Sequence, residues 1–165
     1  MSTPKLQTEV ELAAGVSAWL RGDGWTCYHE VPAGSGRIDI LAVRAGLVWA
    51  IETKLRASLE VVEQALDRAR RAAVHGALVA VPGRSNGTAL AEICRRLGLG
   101  VICAREDHDG RGNLVIDPCM RVWPEFRRQA NVRDLLAQLA PEQQAQAAGK
   151  NRGTMPPGRQ GDGET

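Results

Sequence analysis

Residues 37–54 read RIDILAVRAGLVWAIETK. Two apolar runs, Arg37 to Val43 and Leu47 to Leu55, flank Arg44-Ala45-Gly46, so the stretch predicts a hairpin of two strands. The second strand ends on Glu52, Thr53 and Lys54. Every second side chain of a strand projects to the same face, so Glu52 and Lys54 share a face about 7 Å apart. Alone, that pair is a surface ion pair worth at most about 1 kcal/mol. The first strand carries Asp39 between Ile38 and Ile40, where strand interiors are depleted in Asp. With the turn at Arg44-Ala45-Gly46, Asp39 falls near the level of Glu52. Two neighbouring carboxylates resist joint ionisation unless a cation lies between them. A hard, oxygen-seeking divalent ion such as Mg2+ resolves that conflict. Lys54, on the same face, is placed to orient or activate a water or to stabilise developing negative charge.

The flanking sequence extends this hairpin into an α/β pattern. Thr3-Pro4 reads as a helix start, with a helix from about Lys5 to Arg21 stopped by Gly22-Asp23-Gly24. Trp25 to Val31 reads as a strand and Pro32 to Gly36 as a loop. After the hairpin, Ser58 caps a helix over Leu59 to Val74, and Ala77 to Val81 is a buried strand. A helix over Thr88 to Leu97 leads to a strand over Leu99 to Ala104. Asp107 to Gly112 reads as a turn, with Leu114 to Asp117 pairing back. Short helices are expected over Pro124 to Arg128 and Val132 to Leu139. The order predicts three antiparallel strands, then a crossover helix to a parallel strand, in a mixed sheet with helices on its faces. Residues 1–140 are expected to form one domain, with a core over about 5–104 and an extension over 105–140. Residues 141–165, rich in Gln, Gly, Pro and charge, are expected to be disordered.

Composition narrows the function. At 44% hydrophobic residues the chain can bury a core. The formal net charge of +2 is too small for a global basic field. With four Trp, one Tyr and one Phe, binding mainly through stacked bases is disfavoured. Cys27, Cys94, Cys103 and Cys119 form no C-x-x-C pair and read as reduced, small apolar residues. No apolar leader segment or membrane-length run is seen, so a cytoplasmic, soluble protein without a membrane partner is expected.

Other residues qualify as candidates. On a helical projection Glu9 falls within the arc of Leu6, Val10, Leu12, Ala13, Val16, Trp19 and Leu20, and Glu11 falls opposite. A carboxylate there must be paired, metal-bound or aimed at a cleft, unless it snorkels from the edge of the arc. Gln64, Arg68 and Arg71 form a stripe on the flank of their helix, suited to phosphate contact or to simple solvation. Gly34-Ser35-Gly36 lacks the following Lys and helix of a phosphate-binding loop, yet Ser35 and Arg37 lead directly to Asp39 and could approach DNA. Asp107-His108-Asp109-Gly110 lacks the closing Glu of a calcium loop and reads as a hairpin tip.

The pattern GRIDILAV…WAIETK resembles the core of the PD-(D/E)xK nuclease superfamily. Asp39 matches its first acid, Glu52 its second and Lys54 its lysine; Ile38 stands where the family has Pro. Glu9 and Gln64 match a first-helix Glu and a later-helix Gln carried by many members. The layout is similar to small Holliday junction resolvases and to phage or prophage nucleases. The resemblance implies a restriction-endonuclease-like fold, an αβββαβ core with an added αβ(β) extension. It implies DNA hydrolysis with Mg2+, or Mn2+ in its place, held by Asp39, Glu52 and the Thr53 carbonyl. It also implies a homodimer and no small-molecule cofactor. A catalytically silent nucleic-acid-binding or scaffold protein on the same fold is the alternative.

Overall fold

A computed structural model describes residues 5–34, 36–83, 87–128 and 131–144. The first helix, α1, spans Glu9–Gly22. Thr8 caps it: its side chain accepts from Glu11 N at 3.1 Å, while the Glu11 carboxylate accepts from Thr8 N at 3.1 Å. That capping box fixes the start four residues later than the expected Lys5; the Thr3-Pro4 pair lies outside the described residues. Glu11 is therefore a capping group as well as an exposed one.

The strands that follow are β1 (Thr26–Ala33), β2 (Gly36–Arg44) and β3 (Leu47–Thr53), paired antiparallel in sequence order. Pro32 and Ala33, expected in a loop, belong to β1 and pair with Arg37 and Gly36. Pro32 is tolerated because β1 is an edge strand. The β2–β3 turn is two residues long, Ala45 at φ 49° and Gly46 at φ 80°. Positive φ at both positions matches the twist of a tight hairpin.

Helix α2 (Leu59–Arg71), capped by Ser58, leads to β4 (Gly76–Pro82). It ends at Arg71, short of the expected Val74. Helix α3 (Gly87–Arg96) leads to β5 (Gly100–His108), and β6 (Leu114–Val122) returns antiparallel. Among the described residues the six strands form one mixed sheet in the order β1-β2-β3-β4-β5-β6, with β3, β4 and β5 parallel. β6 runs through Pro118 to Val122, further than expected, because it is the other edge. The Asp107–Gly112 hairpin tip is held by Asp109, whose carboxylate accepts from Arg111 N and Asn113 N.

Alternation along β4 sorts the core. Leu78 and Ala80 join Leu12, Val16 and Leu20 of α1 on one face. Val79 and Val81 join Val61 and Ala65 of α2 and Leu90 and Cys94 of α3 on the other. This double covering explains the unbroken apolar run Ala77 to Val81. Helix α4 (Val132–Ala137) adds Leu135 and Leu136 against Leu41 and Val48.

Pro124 to Arg128, expected as a short helix, are not helical, and neither is Trp123. They strap across the sheet's end: Glu125 N donates to Gly98 O at 3.1 Å and Arg127 N to His75 O at 2.8 Å. Trp123 meets Trp49 edge-on at 6.0 Å, and Phe126 stacks on His75 at 5.2 Å. Residues 141–144 form a helical turn, where disorder was expected; residues 145–165 lie outside the described residues. Cys27, Cys94 and Cys103 are buried free thiols, whereas Cys119 is exposed. No described helix is long and apolar enough to cross a membrane.

Candidate functional site

The C-terminal end of β3 is where the sheet opens. On one side, β2–β3 pairing ends at Ile40 and Ile51. Asp39 comes next, and β1 presents Glu30 opposite it in a left-handed conformation, φ 53°. That kink interrupts the β1–β2 ladder between the His29–Ile40 and Val31–Ile38 pairs. On the other side, Lys54 N donates to Ala80 O at 3.0 Å. The next amide of a parallel ladder to reach β3 would come from residue 82, and Pro82 has none.

Asp39 fills the gap between β2 and β3. Its Oδ2 accepts from Thr53 N at 2.8 Å and from Thr53 Oγ1 at 3.0 Å. Thr53 thus uses both its amide and its hydroxyl on Asp39. In a strand the N–H and C=O of one residue point to the same neighbour, so the Thr53 carbonyl also faces this gap.

Glu52 lies beside Asp39 and is 3% exposed. Burial first, then the Asp39 carboxylate, pushes its carboxyl up to about 6, against the lowering pull of Arg68 and Lys54. Arg68 Nε donates to Glu52 Oε1 at 2.9 Å. Among the described residues neither Asp39 Oδ1 nor Glu52 Oε2 accepts a hydrogen bond. Lys54 Nζ stands 3.6 Å from Glu9 Oε1. Glu9 is exposed, not core-facing, but the first turn of α1 delivers it to the lysine. Val10, its neighbour, is 51% exposed, so the apolar arc of α1 lies on Leu12, Ala13, Val16 and Leu20 instead.

The expected stripe of Gln64, Arg68 and Arg71 divides. Arg68 turns inward, with its side chain 14% exposed. Arg71 remains exposed and pairs with Asp67 at 2.7 Å. Gln64 Nε2 donates to Glu60 Oε1 at 3.5 Å on its own helix. Arg37 is exposed and pairs loosely with Glu30 at 3.9 Å, while its carbonyl accepts from Arg68. Ser35 lies outside the described residues. A cleft of about 370 Å³ runs between the β1–β2 hairpin tip, the end of α2 and α4; Arg68 and Arg71 form part of its wall.

Sequence reasoning missed a buried pair under the site. His29 Nε2 lies 3.1 Å from Ser17 Oγ of α1. Burial and Arg21 push His29 down, so the ring is held neutral beneath the sheet. Its signal was the alternation that places His29 on the same face as Cys27 and Trp25.

No protein-family model, no curated protein and no solved structure matches the chain.

The residues fit a hard divalent cation on their chemistry. Two carboxylates converge closely enough that one raises the other, and both donor groups are oxygen. Among the described residues no group of three or more His, Cys, Asp and Glu stands together at a metal-binding spacing. A cation here would therefore draw on two carboxylates and the Thr53 carbonyl, with remaining positions open to water and substrate.

Proposed function

We propose that this protein is a divalent-metal-dependent DNA endonuclease with a restriction-endonuclease-like fold. The order α1-β1-β2-β3-α2-β4 supports the αβββαβ core that the PD-(D/E)xK resemblance implies. The observation that carries the reading is that Asp39 and Glu52 lie side by side where the sheet opens, with the Lys54 charge near enough to act on Glu52. Asp39, Glu52 and the Thr53 carbonyl would hold Mg2+ or Mn2+. Bound there, the ion supplies a lowered pKa for the attacking water and charge stabilisation for the phosphoryl oxygens. Lys54 orients that water and offsets negative charge as it develops. Glu9 keeps the lysine ammonium in place from the start of α1. Thr53 fixes the Asp39 carboxylate through two hydrogen bonds. Arg37, together with Arg71 on helix α2, would contact the DNA backbone, and Ser35 of the same sequence stretch is proposed with them.

A second reading has one specific observation in its favour. Arg68 already places a cation on Glu52, as a silent nucleic-acid-binding or scaffold protein on this fold would require. Incubation with plasmid, linear, single-stranded and branched DNA in Mg2+, Mn2+ or EDTA separates the two. Metal-dependent cutting that Asp39→Asn abolishes supports the nuclease. Binding without cutting in every condition supports the scaffold.

A further inference from the structure

We propose that Arg68 is a positioning residue that fixes Glu52 so that a single oxygen, Oε2, faces a bound cation. The inference rests on the nuclease reading of the same site. The guanidinium is anchored apart from Glu52. Its Nη2 donates to Arg37 O at 2.7 Å and its Nη1 to Ala33 O at 3.5 Å, both on the β1–β2 hairpin. Gly36 makes room for it: a Cβ at that position would lie 2.9 Å from Nη2. A planar guanidinium held by two backbone carbonyls has its Nε direction set in advance. That direction meets Glu52 Oε1 at 2.9 Å.

With one lone pair of Oε1 taken by Arg68 and the carboxylate held in that orientation, Glu52 reaches a cation more readily through Oε2 alone than through both oxygens. Ca2+ takes six to eight oxygens and readily uses bidentate carboxylates, whereas Mg2+ demands a compact octahedron and keeps several waters. Arg68 therefore biases the site toward a small octahedral ion. It does so through geometry, since its own charge opposes every cation alike. The hairpin and the ligand become one mechanical unit, which accounts for an arginine spent on two backbone carbonyls at a helix flank.

Calorimetric titration of the DNA-free protein with Mn2+ and with Ca2+ tests this without reference to cutting. Wild type, Arg68→Gln, Arg68→Lys and Gly36→Ala are compared, with circular dichroism as the check on folding and Asp39→Asn as the control for the site. Wild type is expected to prefer Mn2+. Arg68→Gln removes a charge that repels both ions alike, and is expected to narrow the Mn2+ to Ca2+ affinity ratio by about tenfold. Gly36→Ala, which keeps every charge but displaces the guanidinium, should narrow the ratio in the same direction. Arg68→Lys, which cannot span both carbonyls, should do likewise and serves where Arg68→Gln fails to fold. An unchanged ratio in the folded variants, with wild-type binding still lost in Asp39→Asn, overturns the positioning role and leaves the nuclease reading intact. No binding of either ion by wild type, together with no cutting, overturns both.

Discussion

Arg68 Nε and Glu52 Oε1 lie 2.9 Å apart, in side chains only 14% and 4% exposed. A buried pair of this kind contributes little net stability when formed, yet removing one partner strands the other. Arg68→Ala should therefore destabilise the protein by about 3–5 kcal/mol, read from urea unfolding at pH 8 in EDTA. Glu52→Gln keeps an oxygen for Arg68 and should cost far less. A loss below about 1 kcal/mol in Arg68→Ala would mean that Glu52 is not left stranded by its removal.

Glu52 also sets a pH dependence. Its folded carboxyl sits at about 6, above its ordinary 4.5, so the folded state binds the proton more tightly than the unfolded chain. Stability from this group is thus highest below about 4.5 and falls as pH rises through about 6, by about 2 kcal/mol in all. In EDTA, Glu52→Gln should flatten that fall. Divalent-ion affinity should run the opposite way, rising to a plateau above about pH 6 as Glu52 loses its proton. Mn2+ affinity measured from pH 5 to pH 8 checks the sign.

The Asp39–Thr53 contacts give a third expectation. Asp39→Ala leaves the buried Thr53 N–H unpaired and should cost about 1–3 kcal/mol of stability. Asp39→Asn retains an acceptor oxygen and should cost less, while still removing the charge a cation requires. The clean test of ligation is therefore the Asn variant, checked by equilibrium unfolding beside metal titration.

Away from the site, Ala45 occupies a left-handed position, φ 49°, in the β2–β3 turn. Asn tolerates that conformation better than Ala. Ala45→Asn should raise stability by about 0.5–1 kcal/mol, measured by the urea midpoint at an unchanged slope.

The hairpin of Asp39 and Glu52 was legible because alternation and a Gly-containing turn fix register within a residue or two. Its register then predicted the meeting of the two acids. The start of α1 was misread although Thr8 and Glu11 spell a capping box; Thr3-Pro4 offered a competing start. Residues 124–128 and Pro118 were misread because tertiary contacts and edge position decide them, and neither is local in sequence. Arg68 was hardest. Its spacing from Gln64 and Arg71 defines a helix flank, but a flank residue can point to solvent or inward with equal ease. Only the hairpin carbonyls of Ala33 and Arg37, distant in sequence, turn it toward Glu52.

Lys54 offers the most direct measurement. Its side chain is 28% exposed and its pair with Glu9 is a surface contact, so Lys54→Ala should leave folding almost unchanged. Cleavage of plasmid, linear, single-stranded and branched DNA by wild type and Lys54→Ala is compared side by side in Mg2+, Mn2+ and EDTA. Metal-dependent cutting by wild type, lowered about 100-fold or more in the variant, is the expected result. Identical behaviour of the two proteins on every substrate and in every metal condition contradicts a phosphodiesterase site at Asp39, Glu52 and Lys54.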